Sequence, residues 1–500
     1  MTGRTWVRLD NASNIFLAAR SDADPKVFRI SAEMDHEVDP LLLQEALDAT
    51  YDRYPLYHAV LRRGVFWYYL QDSDLRPAVA TEQLHTCAPL YQADRRTLLF
   101  RVLHYRRRIV LEIFHALSDG TGALWFLTDL VSAYVRLRYQ APEPPFGGAP
   151  DRLAPGRPVR DRVAAGGADP EPGSDADAAG PTHELTTDSF AHYFRRRRRR
   201  GARDPEHGPD PDHGADTDFS SAAAPALLAV QRDARPEHAI PRREDPPLRS
   251  AAKRVHRIRG TRTPDNRTRA VELTMPVSEA LALARAEGVS LTMYLTALFF
   301  ESVRVSSGGL GGARTLSASV PVNLRQFFPS TSARNFFATV RVEHTYGEGD
   351  DGLGAICREL ESQFRPQTAP EVLERKLRRF IRFERMAVLR IVPRVLKDVL
   401  LGLINRLNNR GLSVAISNLG RVILPEQIED HVGRMLFHVS AVRPQFCAIS
   451  HAGLLTVTFT SPFVETGHVR EFARMLTARG VAVTVAAARV TEHELAEAAG

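Results

Sequence analysis

Hydrophobic positions divide this 500-residue chain into a rich, a poor and a rich third. Residues 1–142 are dense in Leu, Val, Phe and Tyr, residues 143–262 are mostly Pro, Gly, Ala, Asp and Arg, and periodicity returns over 263–500. In the first third, KVFRISAEM (26–34) reads as a strand. Asp39 and Pro40 read as the cap and first turn of a helix whose apolar stripe is Leu42, Leu43, Ala46 and Leu47. Residues 57–70 read as a hairpin divided by Gly64, TLLFRVLH (97–104) and RIVLEIFH (108–115) as two more strands, and 121–138 as a helix. The last third repeats this grammar. It predicts a strand at 269–275, a helix capped by Ser278 and stopped at Gly288, a second helix capped by Thr292, and strands at 315–323 and 336–344. A helical region over 351–408 follows, then four late strands (GLSVAISNLG, MLFHVSAV, LLTVTFTS, VAVTVAAA) and a helix at 468–480 closed by Gly480. Strands alternating with helices on both sides of the gap predict α/β layers.

The middle segment, with text such as GGADPEPGSDADAAG, cannot bury enough apolar surface to offset its ordering entropy. The organisation expected is an N-terminal lobe (1–142), a largely disordered insertion (143–262) and a C-terminal lobe (263–500). Phe190, Tyr193 and Phe194 mark one stretch of the insertion with enough aromatic surface to dock locally.

Hydrophobic residues at 44% and charged residues at 25% suit a folded globular chain. The net charge of +7 is carried by arginine, since only Lys26, Lys253, Lys376 and Lys397 are lysines. Arg195–Arg200 are six consecutive arginines, a run that suits nucleic acid, anionic lipid or the phosphates of CoA. No stacking-aromatic pattern accompanies them, so nucleic acid is not expected and a solvated charge run is the preferred reading. Cys87, Cys357 and Cys447 form no CxxC, which argues against a disulfide framework or a structural metal site and suits a reducing compartment. The N-terminal MTGRTWVRLDNASNIF lacks the apolar run of a secretory signal, and no window of 18 apolar residues suggests a spanning helix. A cytoplasmic protein is expected.

The sharpest local feature is FHALSDGTGALWFL (114–127). His115 ends a strand and is followed by a turn with Asp119 and Gly120, then by an apolar helix. A histidine at a strand end projects from a rigid element, and its ordinary pKa near 6.5 suits general-base work. Asp119 lies where it can order the loop through backbone N–H groups or a distant arginine. The spacing establishes no His–Asp contact, and on composition alone an ordinary structural histidine and turn stand beside the catalytic reading.

His115-Ala-Leu-Ser-Asp119-Gly120 resembles the HxxxDG signature of the acyl-CoA-dependent acyltransferase superfamily, which includes chloramphenicol acetyltransferases and peptide-synthetase condensation domains. The fuller signature is HHxxxDG, and Phe114 stands at its first histidine. Ser417-Asn418-Leu419-Gly420 is similar to the SNxxG segment of wax ester synthases. SVPVNLRQFFP (319–329), NFF (335–337), RLDNASNIF and GVFWYYL resemble bacterial alcohol acetyltransferase-like proteins. The resemblance implies an α/β fold of two chloramphenicol-acetyltransferase-like lobes around a central tunnel. It also implies acyl transfer, with acetyl suggested, from acyl-CoA as cosubstrate to a small or lipidic alcohol. No cofactor is tightly bound and no metal is required in such a reaction. His115 takes the role of base, Asp119 that of an orienting residue, and Asn418 an oxyanion or tunnel role. A carrier-protein thioester donor, an amine acceptor, and a non-catalytic binding scaffold are the alternatives.

Other residues carry weaker expectations. Arg325 is placed to pair with Asp119 or to sit near the tunnel, and a solvated or structural role is the preferred reading. His438 reads as a core or rim histidine. Ser317 and Ser319 share one strand face, which suits a polar channel or a half-buried sheet equally. The basic, apolar stretch 377–408 reads first as a buried core helix and second as a lid or a peripheral membrane contact.

Overall fold

The computed structural model describes residues 6–9, 11–93, 95–139, 254–263, 267–384 and 392–487. Strand Val27–Met34 shows how the first lobe is built. Its alternate residues Phe28, Ile30, Ala32 and Met34 join one apolar cluster with helices Pro40–Asp52 and Gly120–Tyr139, while Arg29, Ser31 and Glu33 face the other way. The helix at 40 starts as its sequence requires. Asp39 Oδ1 accepts the N–H groups of Leu41 (2.8 Å) and Leu42 (3.3 Å), and Leu43, Ala46 and Leu47 are buried. The sheet runs in the order Val432–Val439, Val27–Met34, Arg108–Phe114, Phe100–Tyr105, Val79–Thr81, all antiparallel except the last pair. The predicted hairpin pairs Ala59–Arg63 with Tyr68–Asp72, and Trp6–Arg8 adds a third strand.

The second lobe is a seven-stranded sheet in the order Phe337–Thr345, Thr315–Asn323, Val414–Arg421, Gln445–His451, Leu454–Ser461, Arg269–Pro276, Thr484–Ala487. Val414–Arg421 is parallel to both neighbours, and the other pairs are antiparallel. Helix Leu291–Ser306 lies at the centre of its apolar cluster through Leu295, Leu298, Phe299 and Phe300.

One strand ties the lobes together. Val432–Val439 comes late in the chain yet pairs with Val27–Met34, so the division at 263 is not a division of the sheets. Thr460 Oγ1 and Gln445 Nε2 of the second lobe both donate to the Val439 carbonyl, at 2.9 and 2.8 Å.

Several expectations change. Ser278 lies inside helix Val277–Ala286, which begins after Pro276 without a side-chain cap. The cap of the next helix is Ser290, whose Oγ accepts Met293 N–H, and Thr292 falls within the helix. Among the described residues, five late strands form rather than four. Gln445–His451 was not expected, because its Cys, Ala and Ser positions show neither alternation nor β-branching, although it is buried on both faces. Helix Asn11–Ala19 was likewise unmarked. Most of the expected insertion, with Arg195–Arg200 and Phe190, lies outside the described residues. Its final part does not behave as a linker: Val255 bridges Thr315 and Arg262 bridges Phe463 on the second lobe. The core-helix reading of 377–408 fails for helix Arg394–Arg410, in which Ile404 is buried and Val395, Leu396, Val399, Leu403 and Leu407 are exposed.

Candidate active site

The turn after strand Arg108–Phe114 sits where the second lobe grips the first. Phe114 and His115 part company at the strand end. Phe114 is fully buried and stacks on Tyr91 with centroids 5.4 Å apart, so an apolar ring suits the position where the fuller signature has histidine. His115 is half-buried. Its backbone is held on both sides: its N–H donates to the Lys26 carbonyl at 2.8 Å, and its carbonyl accepts Asn335 Nδ2 at 2.8 Å. Lys26 supplies that carbonyl from a left-handed backbone (φ +59°), costly for a residue with a side chain. Asp24 holds this turn by accepting the Lys26 N–H at 3.2 Å and pairing with the Lys26 ammonium.

Three aromatic rings enclose the imidazole. Phe16 stacks on it at 4.0 Å, Phe28 meets it edge-on at 4.9 Å, and Phe337 is tilted at 5.8 Å. Nδ1 is buried without a hydrogen-bond partner among the described residues. Burial depresses the ring's pKa from 6.5 to about 4. The residue's own backbone carbonyl and Asp119 favour the charged form without offsetting that burial, and Lys26 adds to the depression. The ring is therefore neutral at neutral pH, the state a proton acceptor requires.

Asp119 makes no hydrogen bond to His115. Its Oδ1 accepts Gly122 N–H at 2.9 Å, capping helix Gly120–Tyr139, and its Oδ2 accepts Phe336 N–H at 2.8 Å and Arg325 Nη1 at 2.7 Å. Arg325 also donates Nη2 to the carbonyls of Ser332 and Arg334, both at 2.7 Å. The Arg325 side chain is therefore buried and paired with Asp119 rather than solvated. Nearby, Asn323 Nδ2 donates to Thr121 Oγ1 at 3.2 Å. The segment SVPVNLR thus reaches from the second lobe to the turn that carries His115.

The two signature segments also meet, through Gly120 of the first and Leu419 of the second. A methyl group on Gly120 would run into the Leu419 side chain, and one on Gly122 would run into the Ala333 carbonyl and Ser118 Oγ. Gly122 was visible in DGTG but passed as an ordinary helical residue. Asn335 was visible only as part of NFF, and nothing in the sequence marked Phe16 or Lys26 as neighbours of the ring. Asn418 is engaged locally: its Oδ1 accepts Gly420 N–H at 2.8 Å and its Nδ2 donates to Thr292 Oγ1 at 2.9 Å. Those bonds describe a residue that shapes the bend at Gly420 (φ +77°).

No family model and no curated protein matches this sequence. Solved structures do match. Polyketide synthase associated protein 5 from Mycobacterium tuberculosis superposes with a TM-score of 0.54 at 13% identity, over 95% of this chain and 98% of that one. The trichothecene 15-O-acetyltransferase from Fusarium sporotrichioides gives 0.53 at 10% identity, over 95% and 94%. The EpoB cyclization-docking bidomain from Sorangium cellulosum gives 0.53 at 11%, over 95% and 84%. The chain has the two-lobed chloramphenicol-acetyltransferase-like fold. Within that acetyltransferase-like fold, the remaining candidates take structural places. Ser317 is fully buried and its Oγ accepts Arg341 Nε at 2.8 Å, while Ser319 is half-buried on the same strand. His438 is buried at a second lobe junction, 3.6 Å from Glu272, which Arg108 also holds.

Proposed function

We propose that this chain transfers an acyl group from acyl-CoA to an alcohol, with His115 as the general base. The observation that carries the reading is a neutral imidazole, largely enclosed by aromatic rings, on a part-buried residue whose backbone is fixed by both lobes. Nδ1 is buried, and proton transfer is assigned to Nε2. Nε2 takes the hydroxyl proton as the alcohol oxygen attacks the thioester carbonyl. The tetrahedral intermediate then collapses, the C–S bond breaks, and the imidazolium returns the proton to the departing thiolate, giving ester and free CoA. The thioester is already an activated donor, so the protein supplies alignment and a proton path. Asp119 positions the turn and does not carry the proton. Asn418, which retains one amide hydrogen beyond its bond to Thr292, is the side-chain candidate for stabilising the oxyanion.

Free-thiol release tests this reading directly. Acetyl-CoA, a long-chain acyl-CoA and an acyl-carrier protein are offered against a panel of alcohols and amines. Turnover with a CoA donor and an alcohol, lost in a folded His115→Ala protein, is expected. Turnover confined to the carrier donor or to amines would select the alternative chemistry, for which the likeness to polyketide- and peptide-synthetase proteins is the supporting observation. Substrate binding without turnover by the parent would leave only the scaffold reading.

A further inference from the structure

Helix Arg394–Arg410 is amphipathic in an unusual sense: its apolar stripe points outward. Val395, Val399, Leu403 and Leu407 recur every four residues along one face, and Val395 and Val399 are 62% and 66% exposed. The opposite side is the one that packs. Ile404 is buried, and Gly402 lies against the Ala18 carbonyl of helix Asn11–Ala19. The hairpin tip extends the patch. Arg394 N–H donates to the Val65 carbonyl at 3.0 Å and Lys397 Nζ to the Phe66 carbonyl at 3.1 Å, which fixes Val65 (74% exposed) and Phe66 (43%) beside the helix start. A contiguous apolar surface of this kind on a folded protein marks a contact site.

The charges around it choose among occupants. The helix carries four basic residues, Arg394, Lys397, Arg406 and Arg410, against the single carboxylate of Asp398, which Tyr68 binds at 2.8 Å. Arg406 and Arg410 are exposed at the end of the apolar face. A second copy laid on the stripe would bring basic ends against basic ends, whichever way it ran. The arginine run of the insertion carries the same sign. An anionic lipid surface accommodates both features, since acyl chains accept the stripe and headgroups accept the arginines.

We propose that the outer face of helix Arg394–Arg410, with the Val65–Phe66 tip, docks on an anionic bilayer and lies in its headgroup region. No described helix is long and apolar enough to cross a membrane, so the contact is peripheral. The docked face stands one helix behind the candidate base, because Phe16 of helix Asn11–Ala19 stacks on His115. This inference goes beyond acyl transfer and does not rest on it.

Co-sedimentation of the full chain with vesicles tests it, using phosphatidylcholine alone and phosphatidylcholine mixed with phosphatidylglycerol. Binding is expected to the mixed vesicles and to weaken as salt rises. The Arg406→Glu, Arg410→Glu protein should bind them about tenfold or more weakly, since each basic residue near such a surface contributes about fivefold. Val399→Glu with Leu403→Glu should abolish binding, with thermal melts matching the parent because both side chains are exposed. Absence of binding to mixed vesicles, or unchanged binding by both double variants, overturns the proposal. So does a concentration-dependent dimer that Val399→Glu dissociates while vesicles fail to bind. His115→Ala should bind as the parent does, so failure of the chemistry and failure of the docking are read separately.

Discussion

Asp119 with Arg325, and Glu272 with Arg108, each join one lobe to the other through a carboxylate and a guanidinium, yet the two junctions are built to different tolerances. At the first, both side chains are 7% exposed, the contact is 2.7 Å, and two backbone N–H groups and two backbone carbonyls surround the pair, with Arg325 Nε buried and without a hydrogen-bond partner among the described residues. At the second, Arg108 reaches Glu272 at 3.2 and 3.1 Å, and the same carboxylate is shared with Arg434 at 3.5 Å and His438 at 3.6 Å. His438 Nδ1 is buried there without a hydrogen-bond partner among the described residues. Both oxygens of the carboxylate beside the candidate base accept short hydrogen bonds, three in all. At the other junction one carboxylate is shared by two arginines and a histidine. The first arrangement fixes a position, and the second holds two sheets together without fixing either.

Removing the carboxylate of the first junction should have the largest effect. Asp119→Ala leaves Arg325 buried without its ion partner, which costs about 3–5 kcal/mol, and also removes the cap of helix Gly120–Tyr139. Chemical denaturation should show that loss. Thiol release should fall by about two orders of magnitude in the fraction that folds, because the turn carrying His115 is displaced. Parent-like stability would mean that this set of bonds is not what holds the turn.

How much of this was legible depended on range. The strand ending at His115, the Asp119–Gly120 turn and the helix behind them are local patterns of alternation, capping and 3.6-residue period, and the sequence shows them. The two-lobed organisation was legible from the fall and return of hydrophobic periodicity. The grip of the second lobe was not. Asn335 and Arg325 are ordinary polar residues in sequence, and only a fold that brings them more than 200 positions back along the chain gives them their partners. Strand Val432–Val439 was read as a strand, but nothing in its residues announces that it belongs to the first sheet. Lys26 shows the limit most sharply. A left-handed lysine has no compositional mark, and its conformation exists because Asp24 and His115 hold it from either side.

Glu272→Gln should have the intermediate effect. An amide still accepts from Arg108 but loses its charge, and a loss of about 1–3 kcal/mol is expected, with thiol release per folded molecule changed only a few-fold. The variant also has a pH signature. Burial works to raise the Glu272 carboxyl, but His438 and Arg108 outweigh it and hold the pKa at about 2, below the usual 4.5. A carboxylate depressed on folding contributes stability that is complete above 4.5 and is lost as pH falls towards 2. Denaturation midpoints measured down that window should fall less steeply in Glu272→Gln than in the parent. Equal slopes would show that these partners do not stabilise the charged form.

The smallest effect, and the one that separates the two designs most cleanly, comes from exchanging arginine for lysine at each junction. Arg325 uses the two ends of its fork at once, Nη1 on Asp119 and Nη2 on two carbonyls. An ammonium offers one point of charge and cannot span them, so Arg325→Lys should lose roughly 2 kcal/mol or more and depress thiol release with it. Arg108 makes longer bonds to a carboxylate that it shares with Arg434 and His438, and its side chain is 25% exposed. There a lysine keeps the charge and gives up only one of two bonds, so the loss should stay under about 1 kcal/mol with activity unchanged. If thermal melts show the two exchanges to be equally costly, the contrast between the two junctions is wrong. If only Arg325→Lys moves both stability and turnover, the Asp119 junction is the part of the lobe interface on which the position of His115 depends.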